Sequence, residues 1–115
     1  MSRDYRLYLD DIIEAMEKII RYSADLTLED FTKDEKTVDA VIRNFTIIGE
    51  AVKNIPDEIK AGQPGVPWKE MAGIRDKLVH QYFGIKFDVL WKTIRKRLPQ
   101  IKPQIISILK QTSDE

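Results

Sequence analysis

Arg75, Asp76, His80 and Tyr82 fall within one short stretch, GIRDKLVHQYFGI at residues 73–85, and His80 is the only histidine in the chain. An arginine offers a planar fork of donors that suits a phosphate and stays charged at any relevant pH. A histidine transfers protons near neutrality. With helical spacing, Asp76 and His80 are i and i+4 neighbours, so the carboxylate can accept a hydrogen bond from the imidazole, fix its tautomer and favour its protonated form. Together the three point to phosphate-ester chemistry. An Arg/Asp/His cluster at the end of a surface helix accounts for the same residues without any chemistry.

The rest of the composition narrows the field. The chain has no cysteine, which removes disulfides, zinc thiolates, iron–sulfur clusters and cysteine nucleophiles together. One histidine makes no transition-metal site without carboxylates brought from elsewhere. Asp10, Glu14 and Glu17 share a helix face, which reads as a solvated acidic surface, because a hard-cation site needs more oxygen ligands in a closed geometry. Neither GIRDKLVHQYFG nor IIGEAVKN has phosphate-loop spacing, and the single glycine of the second reads as a close-packing point between helices. No apolar run reaches the roughly 20 residues of a membrane span, and MSRDYRLYLDD has charges where a signal peptide is apolar. A cytoplasmic protein is expected.

Net charge is zero, but it is unevenly spread. Residues 1–60 hold 9 basic and 14 acidic side chains, residues 61–115 hold 10 and 5. Much of the basic excess sits in KTIRKRLPQIK, where Lys92, Arg95, Lys96, Arg97 and Lys102 could contact RNA phosphates and make binding salt-dependent. A solvated helix face is the plainer reading of the same run.

The elements that must position these residues are helical. Tyr5, Leu9, Ile12, Met16 and Ile19 make one amphipathic stripe, and Val38, Val41, Phe45, Ile48, Val52 and Ile55 a second. Between them Thr27, with Asp30 three residues on, has the spacing of a capping box. Pro56 ends the second helix, and PDEIKAGQPGVPW is a connector with room for one helical turn from Pro56 at N1 to Gly62. A third helix is expected from about Trp68 to near Gly84. Its Met71, Ile74, Leu78 and Tyr82 share a core face, while Ala72, Arg75, Asp76, Val79, His80 and Phe83 form a second face suited to an oligomer interface that holds a site. A fourth helix is expected to begin near Asp88 as its cap, with Leu90, Trp91, Ile94 and Leu98 inward, then a break or kink near Pro99 and a last helix carrying Ile101, Ile105, Ile108 and Leu109. Residues 1–115 therefore read as one all-α domain, most simply an antiparallel helical bundle.

Over nearly its whole length the chain resembles the HepT-like branch of the HEPN superfamily, helical ribonuclease toxins paired with a minimal nucleotidyltransferase antitoxin. The resemblance is carried by RDYRLYLDDIIEAMEKI, IRNFTIIGEAVKNIP, PWKEMAGIRDKLVHQYFGI and VLWKTI with LPQIKPQI, in that order, and by R-x4-H-x-Y at Arg75, His80 and Tyr82. It implies a bundle of four to five helices, a homodimer with the motif at its cleft, Arg75 and His80 as the ribonuclease residues assisted by Asp76, and no catalytic metal. Many relatives have asparagine where this chain has Asp76. The resemblance also implies that the antitoxin uses ATP to transfer AMP to Tyr82; by periodicity alone Tyr82 is a packed core residue. RNA cleavage by its own 2′-hydroxyl needs a base, an acid and a cation at the phosphate, and one chain has a single histidine, so a two-fold dimer would complete the set. A non-catalytic nucleotide- or substrate-binding subunit of a nucleotidyltransferase complex is the alternative from another class.

Overall fold

The computed structural model describes residues 3–80 and 84–113, apart from the side chains of His80 and Ser113. Two 19-residue helices, α1 (Tyr5–Ser23) and α3 (Glu35–Lys53), form the framework and pack extensively on each other. Each buries the stripe its sequence spells out: Leu9, Ile12, Met16 and Ile19 on α1, and Val38, Val41, Phe45, Ile48 and Val52 on α3. Local signals fix their ends. The Asp4 side chain accepts from the Arg6 amide at the start of α1, and the Asp34 side chain accepts from the Thr37 amide at the start of α3. The short α2 (Leu28–Lys33) opens on the complete Thr27/Asp30 capping box expected from the sequence.

Pro56 stands at the N-cap of α4 (Asp57–Ala61), one position earlier than N1, and Gly62 closes that helix. The following segment differs from the single third helix expected. It comprises α5 (Trp68–Ala72), α6 (Ile74–Leu78) and two two-residue strands, β1 (Val79–His80) and β2 (Gly84–Ile85), paired antiparallel with Val79 opposite Ile85 and His80 opposite Gly84. Gly73 separates the two helices at φ −101°, ψ 10°. β-Branched Val79 turns extended at φ −127°, ψ 123°, and the Lys86 amide bonds back to the Leu78 carbonyl at 3.0 Å. Gly84 has φ +86°, which a residue with a Cβ seldom adopts.

From Phe87 to Ser113 the chain is one helical rod: α7 (Phe87–Lys92), a π turn (Thr93–Arg97) and α8 (Leu98–Ser113). The helix starts at Phe87, with Lys86 as N-cap and Asp88 in the first turn, so Asp88 is not the cap. Nor does the chain break at Pro99. The Leu98 amide bonds the Thr93 carbonyl, five residues back, and this wider turn loosens the backbone where the Pro99 ring would meet the Arg95 carbonyl. A single hydrophobic cluster joins α1, α3, α5, α6, α7 and α8. The fold is all-α, and among the described residues strands are confined to that small hairpin. Among the described residues no helix is long and apolar enough to cross a membrane.

Candidate active site

Helix α6 is five residues long, too short to stand alone, and is held by what it buries. Ile74 and Leu78, one turn apart, enter the core against α3 and leave Arg75, Asp76 and Lys77 exposed between them. The anchor beneath is close. A Cβ at Gly49 on α3 would lie 3.1 Å from the Ala72 carbonyl oxygen, so glycine lets α3 approach the α5–α6 junction, the close-packing role read from the sequence. Trp68 at the start of α5 donates its indole N–H to the Gln63 carbonyl at 3.1 Å, tying the connector to the same segment.

Arg75 is about half exposed, and its one ion pair among the described residues is a 3.6 Å contact with neighbouring Asp76, whose side chain is 87% exposed. The guanidinium is thus available to an incoming anion. The expected i, i+4 relation between Asp76 and His80 is corrected by the backbone: α6 ends at Leu78 and His80 lies in β1, so the two do not share a helical turn. The cause is the Val79 and Gly84 conformations and the Leu78–Lys86 bond, which favour a hairpin over two further turns of helix. Met71, Ile74 and Leu78 are buried as the core-face reading requires. Of the outward face, Arg75 and Asp76 are exposed in the single chain and Ala72 and Val79 half-buried. Tyr82 and Phe83 lie outside the described residues.

The basic run of the last rod divides in two. Arg95 is committed to the fold: Nη2 donates to the Ser23 carbonyl at 2.7 Å and the Leu26 carbonyl at 2.9 Å, and its guanidinium lies 4.1 Å from the Trp91 ring centroid. It caps the C-terminal end of α1, a structural task that the sequence reading of Arg95 as a possible RNA-phosphate contact did not include. Arg97 is likewise engaged, gripping Glu70 of α5 through Nε at 3.1 Å and Nη2 at 2.7 Å. That bidentate pair holds the Glu70 carboxyl below its usual range and raises the Arg97 guanidinium further. Lys102 pairs with Glu17 at 3.5 Å. Lys92 and Lys96 are exposed and make no ion pair among the described residues.

Sequence reasoning missed Lys77, which stands between two buried positions of α6 with its ammonium near Glu70. Its place inside the motif was the available signal. Glu14 pairs with Lys18 at 3.3 Å, in keeping with a solvated acidic face on α1. Among the described residues no three His, Cys, Asp or Glu side chains converge as metal ligands.

A family model described as "Ribonuclease HepT-like" matches residues 12–108. A "Probable ribonuclease HepT" of Thermococcus cleftensis is 50% identical over 102 residues, covering 89% of this chain and 93% of its own. A "Putative RNase MJ0127" of Methanocaldococcus jannaschii is 44% identical over 114 residues, covering 99% of this chain and 94% of its own. A "Putative RNase TTE0752" of Caldanaerobacter subterraneus is 43% identical over 106 residues, with 92% and 95% covered. No solved structure matches the chain.

Proposed function

The chain belongs to the HepT-like ribonuclease family of the HEPN superfamily, an RNA-cleaving enzyme on that ground, and we propose that it is a metal-independent endoribonuclease toxin of a type II toxin–antitoxin pair. The observation that carries the catalytic reading is Arg75, a half-exposed guanidinium on a helix anchored through Ile74 and Leu78, whose ion pairing among the described residues is one long contact to Asp76.

In this reading two copies form one composite site. One His80 takes the proton of the RNA 2′-hydroxyl, and that oxygen attacks the adjacent phosphorus. The bond to the 5′-oxygen breaks, the leaving oxygen takes a proton from the His80 of the second copy, and a 2′,3′-cyclic phosphate remains. Arg75 offsets the charge that builds on the phosphoryl oxygens. Asp76 orients Arg75, the partner it has in the single chain, and acts on His80 only across a rearranged or paired motif. The cognate minimal nucleotidyltransferase antitoxin would silence the site by AMP transfer: the Tyr82 hydroxyl attacks the α-phosphorus of ATP and pyrophosphate leaves.

The deciding experiment incubates wild type, verified by mass as unmodified at Tyr82, and His80→Ala with labelled cellular RNA in excess EDTA, and maps the ends. Cleavage by wild type alone with 2′,3′-cyclic phosphate ends is expected, with the variant at least about a hundredfold slower, since a positioned acid or base contributes about 10²–10⁴. No cleavage of several RNA classes by the unmodified protein overturns the reading in favour of a nucleotide- or substrate-binding subunit. Incubation with the partner and ATP should then add one adenylate to Tyr82, and inhibition without that mass overturns the AMP step.

A further inference from the structure

Helices α5, α6, α7, the π turn and the start of α8 enclose a cleft of about 230 Å³ lined by Glu70, Lys77, Val89, Lys92, Thr93, Lys96, Arg97 and Gln100. Its one carboxylate, Glu70, is occupied by the two-point grip of Arg97. Lys77 lies near that carboxylate, yet neither it nor Lys92 nor Lys96 has an ion pair among the described residues, so one carboxylate faces four cations. Three lysines from two separate segments thus line one cleft, and an anion bound there would meet more positive charge than Glu70 offsets.

The fold arranges this convergence. The π turn carries Thr93, Lys96 and Arg97 onto the cleft side together with Lys92, while Arg95 leaves on another side to cap α1. The Arg97–Glu70 clamp fixes the π turn against α5, so that the lysine pair faces α6. On α6, Lys77 lies two residues from Arg75, about 3 Å along the helix axis, and the two leave it on opposite flanks of the buried Ile74/Leu78 stripe. A strand with one phosphate at Arg75 would reach the cleft across the outer face of α6, past exposed Asp76.

We infer that the cleft between α6 and the π turn, through Lys77, Lys92 and Lys96, is a phosphate subsite that holds a non-scissile phosphodiester of single-stranded RNA beside the cleavage site. The inference rests on the ribonuclease reading for its ligand, whereas the cleft and its charge stand without it. Lysines, as point charges with three donors each, suit a backbone whose sequence is not being read.

The test measures binding of a fully 2′-O-methylated RNA oligonucleotide, which lacks the attacking hydroxyl, by fluorescence anisotropy across a salt series. Wild type is compared with Lys92→Ala/Lys96→Ala and with Lys36→Ala/Lys110→Ala, which removes the same charge elsewhere on the surface. The cleft variant is expected to bind about tenfold more weakly, and its slope of log affinity against log salt to become shallower by about 0.7 for each RNA phosphate that is no longer neutralised. The control variant should stay within about twofold of wild type. Equal losses of affinity in the two variants, or an unchanged cleft variant, overturn the subsite, and wild-type cleavage of unmethylated RNA then shows the ribonuclease reading still standing. Cleft-dependent binding by a wild type that cuts no RNA upholds the subsite and overturns the cleavage.

Discussion

The α1/α3 pair and the segment from Trp68 to Ile85 are built by opposite means. Each long helix has 19 residues, an uninterrupted apolar stripe and a side-chain cap of its own. Among its described residues the motif segment has two helices of five residues and two strands of two, with no side-chain cap on either helix. Its order comes from neighbours: the close approach at Gly49, the Trp68 indole on Gln63, the Arg97 grip on Glu70 and the Lys86 amide on Leu78. A helix cut into short pieces can present three consecutive charged side chains to solvent, as Arg75, Asp76 and Lys77 are, at the cost of depending on its surroundings. Segments of that kind open locally at lower free energy than the core, which suits the site as proposed.

The sharpest way to break this contrast pairs a substitution from each region. Arg75→Ala should reduce RNA cleavage at least about a hundredfold, as loss of one charge-stabilising donor does, yet shift stability by no more than about 0.5 kcal/mol because the side chain is exposed and barely paired. Phe45→Ala, fully buried on α3, should cost about 3–5 kcal/mol and remove activity only by unfolding the protein. Thermal denaturation and cleavage, measured on both, check the separation. An Arg75→Ala protein as unstable as Phe45→Ala would show that the motif segment is part of the framework after all.

A smaller effect distinguishes the arginines of the last rod. Arg95→Ala should cost about 1–2 kcal/mol, since it leaves the Ser23 and Leu26 carbonyls without their charged donor and strips the cover from Trp91. RNA affinity per folded molecule should hardly change. Denaturant melts and anisotropy on the same preparation test this, and loss of affinity without loss of stability would return Arg95 to the RNA surface.

What was legible in the sequence follows the same divide. The stripes of α1 and α3, the Thr27/Asp30 box and the all-α class were readable because each is settled by residues a few positions apart, and the Gly49 approach because a lone glycine in an apolar helix marks a close contact even when its partner, Ala72, is distant. The end of α6 was not. Met71, Ile74, Leu78 and Tyr82 keep helical spacing straight through it, while the stop depends on a backbone bond between Leu78 and Lys86 and on a glycine at positive φ. The jobs of Arg95 and Arg97 were hidden for the same reason, since their partners lie 72 and 27 positions away. At the candidate site, the sequence pointed to Arg75 as an available cation, but the carboxylate beside it pairs with Arg75, and the predicted helical link to His80 is absent.

The smallest effect is electrostatic and concerns how the two regions are joined. Glu70 has its carboxyl held below the ordinary range chiefly by the Arg97 hydrogen bonds, with the Arg97 and Lys77 charges adding to this against partial desolvation. Because the folded-state value is the lowered one, the pair's contribution is fully present above the ordinary glutamate value of about 4.3 and is lost as pH falls through the folded value. Arg97 stays protonated throughout, so it adds no pH dependence of its own in that window. The pair is about a third exposed, which limits its worth to about 0.5–1 kcal/mol. Glu70→Gln should therefore lower the melting temperature slightly at pH 7 and flatten the fall in stability below about pH 4.3, so that wild type and variant converge in acid. Should the two curves run parallel from pH 7 to pH 3, the clamp between the π turn and α5 contributes nothing through its charge, and the segment is held by Gly49 packing and the buried Ile74 and Leu78 alone.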